Sequence, residues 1–479
     1  MQKLANSSAY DVFKNFEKIS EIPRCSHDEE AISKFVYEFG KSLGLESKRD
    51  EFGNVIIIKP ASEGYEDKDT VILQGHMDMV CEKSDSSKHD FTCDPIELQI
   101  DGDFIHANET TLGADDGIAV AMMMAILENK SLKHPKIEAL FTTTEETGMD
   151  GAIGLSETAL TGKNLINIDN EEDKIIIVGC AGGINAYLEK RISKNEKSLS
   201  NYEIKVSGLQ GGHSGIMINE GRLNAIKLLD EILLELSKKV DFSLQSINGG
   251  TKHNAIPSNS SAVIGIYEND KQLLSDELNI LFDEMKKSNQ NLEVNINFSL
   301  NEISNTNLYI NCDEKKEIIN LLNEFPHGVN TLDNELNIVK SSNNLAILRT
   351  EDEVLKIQTS IRSSDSNDLE YLKNKVKEIA EKYNFNVKFS EGYPMWKPNF
   401  DYELLNHAKE IYKSLRNEDA EVAVIHAGLE TGILSQKYPN MNMISIGPDV
   451  IGAHTPKEKL SISSTEFSFN FVKNILKSL

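Results

Sequence analysis

The chain has 479 residues, and its 76 acidic and 50 basic residues give a formal net charge of -26 at pH 7. A charge of this sign argues against nucleic acid and anionic membranes as partners, because phosphate groups are bound by clustered Lys and Arg. The length favours two or three domains, since a single hydrophobic core seldom serves so long a chain.

The cysteines and the amino terminus bear on the cellular compartment. The five cysteines follow no CxxC or CxxH spacing, and we expect free thiols without a catalytic role in a reducing cytoplasm. The amino terminus has no apolar signal core, and the longest apolar run, residues 118–127, is about half a membrane span. These features predict a cytoplasmic protein. The cysteines are Cys25, Cys81, Cys93, Cys180 and Cys312.

The first part of the chain alternates helical and strand patterns. Residues 10–43 predict two amphipathic helices, and Ser26 with Glu29 matches a capping box that would open the second. A helix is expected at 114–128, after apolar strands that end near His76, and further strands end before Glu145 and at Asp169. Strands that alternate with helices predict an α/β domain with a doubly wound, mostly parallel sheet.

The pattern changes after residue 183 and returns after about residue 390. Between these points, alternating strands mix with amphipathic helices such as 223–236, which is typical of an α+β domain. We therefore expect one domain made of residues 1–184 and 391–479, with an inserted domain at 185–390. His454 supports the insertion, because one site can use both Asp169 and His454 only if the chain leaves the sheet and returns.

Metal-ligand residue types stand at the boundaries of the predicted elements. The carboxyl ends of strands in an open α/β sheet are where such folds build their sites. Two imidazoles and three carboxylates suffice for two metals, about 3.5 to 4 Å apart, that share a bridging carboxylate. Nitrogen and oxygen donors suit Zn²⁺, and also Co²⁺ or Mn²⁺. The candidates are His76, Asp115, Glu146, Asp169 and His454, with Asp78 and Glu145 beside them.

Local spacing suggests roles but leaves alternatives open. Asp78 is two residues after His76 at a strand end, so it shares the same face and can orient the imidazole. One acid of the pair at 115–116 could be a helix N-cap, although capping does not account for both. Glu145 and Glu146 reach one site only if the strand turns there, and one would then bind metal while the other takes a proton from water. Each motif alone could be a surface His or an acidic loop.

The ordered motifs resemble a known family. They are QGHMD at 74–78, GADDG at 113–117, TEETG at 144–148, Asp169 and His454. The chain resembles the two-metal peptidase superfamily of aminoacylase, carnosinase and carboxypeptidases, and within it the bacterial cytosolic aminoacyl-histidine dipeptidases. The likeness runs nearly end to end and extends to GGHSG at 211–215, KHNAIP at 252–257, SIRSS at 360–364 and HAGLE at 426–430.

The resemblance implies a role for each candidate in the metal centre. His76 and Asp169 would hold one metal ion. Glu146 and His454 would hold the other, and Asp115 would bridge the two. Glu145 would be the general base, and Asp78 would orient His76. A cis peptide between Asp115 and Asp116 is also implied.

The resemblance also makes the two-segment domain catalytic and the inserted domain a lid. His213 would polarise the scissile carbonyl, and Arg362 would clamp the terminal carboxylate of the substrate. Further substrate contacts are expected at Asn254, His426, Gly428 and Glu430.

The function expected on this basis is hydrolysis of free dipeptides by water activated at two divalent metal ions. A carboxylate clamp on a lid would leave little room for longer peptides. Three alternatives remain: an N-acyl amino acid deacylase or tripeptidase of the same superfamily, a two-metal aminopeptidase without a lid, and an inactive metal-binding module. The long separation of Asp169 and His454 disfavours the second, and the presence of Glu145 with all five ligands disfavours the third. We expect a monomer or a homodimer.

Overall fold

The computed structural model describes residues 2–304, 307–333 and 338–479. Within them the α-helices are α1 Tyr10–Ser20, α2 Glu30–Ser42, α3 Ala114–Glu128, α4 Asp150–Gly154, α5 Ala225–Leu236, α6 Lys271–Asn289, α7 Cys312–Glu324, α8 Ser366–Lys382, α9 Glu403–Arg416, α10 Glu430–Lys437 and α11 Ile462–Ser478. Among the described residues, none of the helices has both the length and the apolarity needed to cross a membrane.

The strands in the same residues are β1 Glu46–Arg49, β2 Val55–Lys59, β3 Val71–His76, β4 Leu98–Asp101, β5 Phe104–Ala107, β6 Ile137–Thr142, β7 Asn164–Asn167, β8 Ile175–Cys180, β9 Gly182–Arg191, β10 Lys194–Glu196, β11 Ser200–Ser207, β12 Gly212–His213, β13 Ser243–Gly249, β14 Ala255–Ile256, β15 Ser260–Ile266, β16 Asn297–Ile303, β17 Leu308–Ile310, β18 Gly328–Asp333, β19 Ile338–Glu351, β20 Val354–Ser363, β21 Asn386–Phe389, β22 Glu421–Ile425, β23 Asn442–Ser445, β24 Val450–Ile451 and β25 Lys459–Ser461.

Contacts divide the chain into two compact units. Unit 1 comprises Met1–Cys180, Trp396–Val424 and Leu429–Leu479. Unit 2 comprises Ala181–Met395 and the short segment Ile425–Gly428. His426 and Gly428 therefore belong to unit 2, although they follow residue 390 in the sequence.

Unit 1 is built on a sheet with the strand order β1-β2-β6-β3-β7-β23-β8-β22. The pairings among β6, β3, β7 and β23 are parallel, whereas β1 with β2, β2 with β6 and β23 with β8 are antiparallel. Every residue of β3 and β6 is buried, as expected of strands covered on both faces. The predicted α/β class is confirmed, and these four central strands pair in parallel.

The core of unit 1 joins the sheet to its helices. Val12 and Phe16 of α1, Met123 of α3 and Phe471 of α11 pack with Leu73 of β3 in one cluster. Helix α3 is apolar around most of its circumference, which fits its burial on all sides. His76 is the last residue of β3, and Glu145 and Glu146 follow the end of β6.

Unit 2 contains, among the described residues, a nine-stranded sheet with the order β16-β11-β15-β13-β19-β20-β9-β21 and β18 paired to β19. Its pairings are antiparallel. Helix α5 begins at a cap in which Asn224 Oδ1 accepts a hydrogen bond from the Ile226 amide at 2.9 Å. Its apolar face, including Leu229 and Leu233, joins the core of this unit. The arrangement is the α+β type expected for the inserted residues.

The predicted capping box of α2 is wrong. Helix α2 begins at Glu30, and the Glu29 side chain makes no capping hydrogen bond among the described residues. Glu29 Oε1 instead accepts hydrogen bonds from the amide and hydroxyl of Thr144 at 3.0 and 2.9 Å. Ser26 Oγ donates to Asp78 Oδ2 at 2.8 Å. Tertiary partners thus replace the local capping bonds that the sequence spacing suggested.

The prediction that all cysteines are free thiols is wrong for one pair. Cys25 and Cys81 form a disulfide with their Cα atoms 5.7 Å apart. Cys25 pairs with Met79 in a parallel β-bridge, which brings Cys25 beside the segment that continues to Cys81. The sequence separation of 56 residues hides this contact. The free cysteines of the described chain are Cys93, Cys180 and Cys312.

We expect Cys25→Ser to lower the free energy of unfolding by about 2 to 4 kcal/mol, because a disulfide that closes a loop of this size restricts the unfolded chain. Urea denaturation without reductant measures the loss. Reductant should produce the same loss in the wild-type protein. Cys93→Ser, which replaces an exposed free thiol, is the control and should unfold like the wild type. A wild-type denaturation midpoint that is unaffected by reductant and equal to that of Cys25→Ser would contradict the disulfide.

Candidate metal centre

Three neighbouring parallel strands bring candidate ligands to one edge of the unit 1 sheet. His76 is the last residue of β3, Glu145 and Glu146 follow β6, and Asp169 follows β7. Because β6, β3 and β7 are parallel neighbours, their carboxyl ends share an edge. The chain turns directly after β6, where Thr144 has a φ of 57°. This turn allows the two adjacent glutamates to serve the same region.

Asp115 lies between the two imidazoles of the predicted set. Its Oδ1 is 3.2 Å from His76 Nε2, and its Oδ2 is 3.0 Å from His454 Nε2. Asp169 Oδ1 is 3.4 Å from His76 Nε2, and Glu146 Oε2 is 2.9 Å from His454 Nε2. The five predicted ligands therefore come together as two groups that share the Asp115 carboxylate.

The backbone before α3 is shaped to present Asp115. Gly113 is in the left-handed region with a φ of 68°, and Asp115 has a non-helical ψ of 107°. The expected cis peptide between Asp115 and Asp116 is confirmed. At the start of α3, Gly113 has no side-chain cap, and the backbone is non-helical at Asp115 and Asp116. Asp116 Oδ2 instead accepts a hydrogen bond from the His76 amide at 3.1 Å.

Asp78 connects His76 to the two glutamates. Its Oδ1 lies 3.3 Å from His76 Nδ1 and accepts a hydrogen bond from the Glu145 amide at 3.0 Å. Its Oδ2 accepts from the Glu146 amide at 3.3 Å and from Ser26. Burial opposes the charge of Asp78, but the hydrogen bonds, above all with His76, outweigh it and lower its pKa. Asp78 is thus a hydrogen-bond acceptor that lies beside the His76 imidazole.

The carboxylates around this edge repel one another. Burial raises the pKa of Glu145 well above its usual value, and the charges of Asp169 and Glu146 add to the rise. Burial, and then the charge of Asp115, raises the pKa of Glu146 to about 7. The pKa of Asp169 is raised as well, first by burial. The cluster therefore holds more buried negative charge than the nearby imidazoles offset, which is the environment that divalent cations neutralise.

The donor set fits divalent metal ions. Glu146 Oε1 is buried and has no hydrogen-bond partner among the described residues, so it is available as a ligand atom. Imidazole nitrogens and carboxylate oxygens without thiolate suit Zn²⁺, Co²⁺ and Mn²⁺. Among the described residues, three groups of side chains place possible ligand atoms within 4.8 Å of one another. They are His76 with Asp116 and Asp169, His76 with Glu145 and Glu146, and Asp115 with Glu146 and His454.

A second group of predicted residues lies in unit 2. Arg362 is only 6% exposed, and its Nη1 donates a hydrogen bond to the Tyr393 hydroxyl at 2.6 Å. Arg362 of β20 is paired in register with Ser342 of β19, whose hydroxyl lies 2.7 Å from His426 Nε2. Burial, and then the charge of Arg362, lowers the pKa of His426 to about 3. The structure therefore places Arg362 and a neutral His426 in one polar cluster, and Gly428 lies in the same segment as His426.

His213 and Asn254 are carried by a two-stranded ribbon of unit 2. His213 of β12 pairs with Ala255 of β14, and the Ser214 amide donates to the Asn254 carbonyl at 2.8 Å. A side chain at Gly215 would meet the His426 carbonyl oxygen at 2.6 Å. The ribbon therefore packs closely against the segment that carries His426, so the predicted substrate residues of unit 2 are neighbours.

Glu430 occupies a different environment from the other predicted substrate residues. It belongs to unit 1, is fully buried, and its Oε2 accepts hydrogen bonds of 2.6 Å from Gln74 and Thr142. Burial raises its pKa to about 8. Glu430 could contact a substrate only if this buried environment opened. Its position therefore favours a structural role, in which its hydrogen bonds connect α10 to β3 and β6.

Two buried charged residues beside the site were missed in the sequence. Arg24 Nη1 donates to the carbonyls of Met77 and Asp78, and its Nη2 donates to the Gly113 carbonyl at 2.5 Å. Glu458 accepts hydrogen bonds from backbone amides that lead to Asp115. An isolated Arg or Glu is usually a surface residue. The only sequence signal was proximity, since Glu458 follows His454 closely.

Known proteins resemble this chain over nearly its whole length. Residues 72–478 match Peptidase family M20/M25/M40. The chain is 34% identical to the cytosol non-specific dipeptidase of Escherichia coli K12 over 484 aligned residues, covering 100% of this chain and 99% of the relative. The aminoacylhistidine dipeptidase of Vibrio alginolyticus has a TM-score of 0.86 and 33% identity, covering 99% of this chain and 98% of that chain.

A more distant structure shares the fold alone. The aminopeptidase PepT of Bacillus cereus has a TM-score of 0.56 and 16% identity, with 98% of each chain covered. The family match spans most of the chain, and the E. coli relative matches over its whole length. This chain belongs to the M20/M25/M40 family of peptidases.

Proposed function

We propose that this chain hydrolyses the peptide bond of free dipeptides at a centre for two divalent metal ions. The observation that carries the proposal is the Asp115 carboxylate, whose two oxygens each contact a different imidazole. Two relatives that are about a third identical to the chain over nearly its whole length are a non-specific dipeptidase and an aminoacylhistidine dipeptidase. Their names support dipeptides as the substrate class.

The residues would divide between the two ions as their distances suggest. His76 and Asp169 would hold one ion, Glu146 and His454 the other, and Asp115 both. We propose Zn²⁺ as the ion, with Co²⁺ or Mn²⁺ as substitutes, because the donors are nitrogen and oxygen. Bound divalent ions lower the pKa of a coordinated water and polarise a carbonyl.

Glu145 is the residue we propose as general base. Its backbone amide donates a hydrogen bond to Asp78, which holds this part of the chain beside the proposed ligands. Its raised pKa suits a group that accepts a proton from the attacking water and then donates it to the leaving amine. Asp78 would keep the His76 imidazole in one tautomer and orientation through its contact with Nδ1.

Unit 2 would act as a lid that binds the substrate. Arg362 would bind the terminal carboxylate through charge-assisted hydrogen bonds. His213 would stabilise the charge that develops on the scissile carbonyl. We propose Asn254, His426 and Gly428 as further contacts, because they lie in the same cluster or ribbon of this unit. The cytosolic name of the E. coli relative supports a cytoplasmic location, and we propose a monomer or a homodimer.

A panel of peptides measured together with metal content tests the proposal. We expect rapid hydrolysis of free dipeptides, little hydrolysis of amino-acetylated dipeptides or tripeptides, and two metal ions per chain at saturation. Exhaustive chelation should abolish activity, and Zn²⁺, Co²⁺ or Mn²⁺ should restore it. A preference for acetylated substrates would indicate a deacylase, and a preference for tripeptides a tripeptidase. Activity without any metal would disprove the proposed mechanism.

The adjacent glutamates should give different phenotypes. Glu145→Gln should retain both metal ions and lower kcat by about 10² to 10⁴-fold, because it removes the base but no ligand. Glu146→Ala should lose metal, since it removes a proposed ligand whose carboxylate contacts the His454 imidazole. Metal analysis and steady-state kinetics on the same preparations separate the two effects. The opposite pattern would reverse the assignment of these neighbours.

Two substitutions in unit 2 test the substrate contacts. Arg362→Ala should chiefly raise KM for dipeptides and remove discrimination against amidated carboxyl ends, because the cationic partner is lost. His213→Ala should lower kcat by about 10² to 10³-fold, as the loss of a transition-state donor does. Arg191→Ala, an exposed arginine at the far end of β9, is the control. Wild-type kinetics in both test variants would exclude a role of unit 2 in substrate binding.

A further inference from the structure

The carboxylate of Glu458 is bound by a series of backbone amides. The side chain is 2% exposed and lies in unit 1. Its Oε2 accepts hydrogen bonds from Leu112 and Gly113 at 2.8 and 3.0 Å. Its Oε1 accepts from Ala114 at 2.7 Å and from Asp115 at 3.4 Å. Consecutive amides that converge on one carboxylate form an anion-binding concavity, here filled by a side chain of the same protein.

This contact joins the two chain segments that carry Asp115 and His454. Asp115 itself donates the last of the four hydrogen bonds. His454 lies four residues before Glu458, in a turn where the Glu458 amide donates to the Thr455 carbonyl at 3.1 Å. His454 has a φ of 63°, which holds its backbone in the left-handed region. The Glu458 carboxylate thus links the loop that carries Asp115 to the loop that carries His454.

Arg24 binds the same turn through a different backbone group. Its Nη2 donates to the Gly113 carbonyl, whereas the Gly113 amide donates to Glu458. A peptide segment held at both its carbonyl and its amide has little freedom to rotate. The side chains of Arg24 and Glu458 therefore restrict the backbone that sets the direction of the Asp115 carboxylate.

We propose that Glu458 is a positioning residue that orients Asp115 relative to His454 and thereby sets the affinity of the metal centre. The inference rests on the proposed function, in which Asp115 and His454 hold the same ion. Glu458 does not contact that ion. Residues that orient metal ligands through hydrogen bonds commonly change metal affinity by about 10- to 100-fold when they are replaced.

Glu458→Gln is the first test variant, because it keeps the size of the side chain. Its amide NH₂ would face two backbone amides that it cannot accept from, so one end of the turn would lose its anchor. Glu458→Asp is the second variant, because it keeps the charge but shortens the reach. Thermal unfolding of each variant shows whether it is folded before metal binding is measured.

Glu138→Gln is a matched control. Glu138 is also 2% exposed, and its Oε2 accepts hydrogen bonds from the amides of Thr161 and Gly162 at 2.8 and 3.1 Å. It is the second residue of β6, at the opposite end of that strand from Glu145. The control therefore removes a similar buried carboxylate from unit 1 without altering the turn before Asp115.

Zn²⁺ affinity is measured by competition with a chromophoric chelator on the full chain. Glu458→Gln should weaken at least one of the two Zn²⁺ equivalents by about 10- to 100-fold, Glu458→Asp should lie between it and the wild type, and Glu138→Gln should bind like the wild type. A purely structural role would lower the unfolding temperature in both glutamine variants but leave Zn²⁺ affinity unchanged.

The possible results separate this inference from the proposed function. Two equivalents bound by the wild type and unchanged affinity in both Glu458 variants would overturn the positioning role alone. Absence of binding of Zn²⁺, Co²⁺ and Mn²⁺ by the wild type would overturn the proposed function and the positioning role with it. If Glu458→Gln does not fold, the affinity of Glu458→Asp decides between weakened and wild-type binding.

Discussion

The Asp115 carboxylate faces His76 with one oxygen and His454 with the other, and the remaining features of unit 1 support this arrangement. The two histidines come from distant parts of the sequence, so the carboxylate can contact both only if the chain returns to the sheet after unit 2. The backbone before α3 is held by Arg24 and Glu458. The Asp115 carboxylate can contact both imidazoles at once only when its orientation is fixed, and these two side chains restrict the backbone that sets this orientation.

Charge is the second constraint on the site. Glu145, Glu146 and Asp169 are half-buried close together, and desolvation raises the pKa of each. A group of carboxylates in this environment is costly unless cations or hydrogen-bond donors compensate for it. Asp78 is compensated within the protein, because it receives hydrogen bonds from two amides and a hydroxyl. The others have fewer donors, which is why their environment fits metal ions.

The polar cluster of unit 2 has a different character. Arg362 and His426 are both buried, yet burial and the nearby positive charge keep His426 neutral. The cluster thus presents one permanent cation together with neutral donors and acceptors, which suits a carboxylate ligand. Unit 1 presents an excess of anions instead. The polar clusters of the two units therefore differ in the sign of the charge that they carry.

Sequence alone predicted where these strands end, because a run of apolar residues that stops at His76 or just before Asp169 marks the end of a buried strand. Local patterning likewise predicted the α/β class and the helices α1, α2, α3 and α5. The disulfide of Cys25 and Cys81, the true partners of Ser26 and Glu29, and the amide-bound Glu458 were decided by tertiary structure. These contacts join segments that are distant in the chain, and several use backbone amides. Every residue except proline offers such an amide, so the sequence holds no sign of which one will be used.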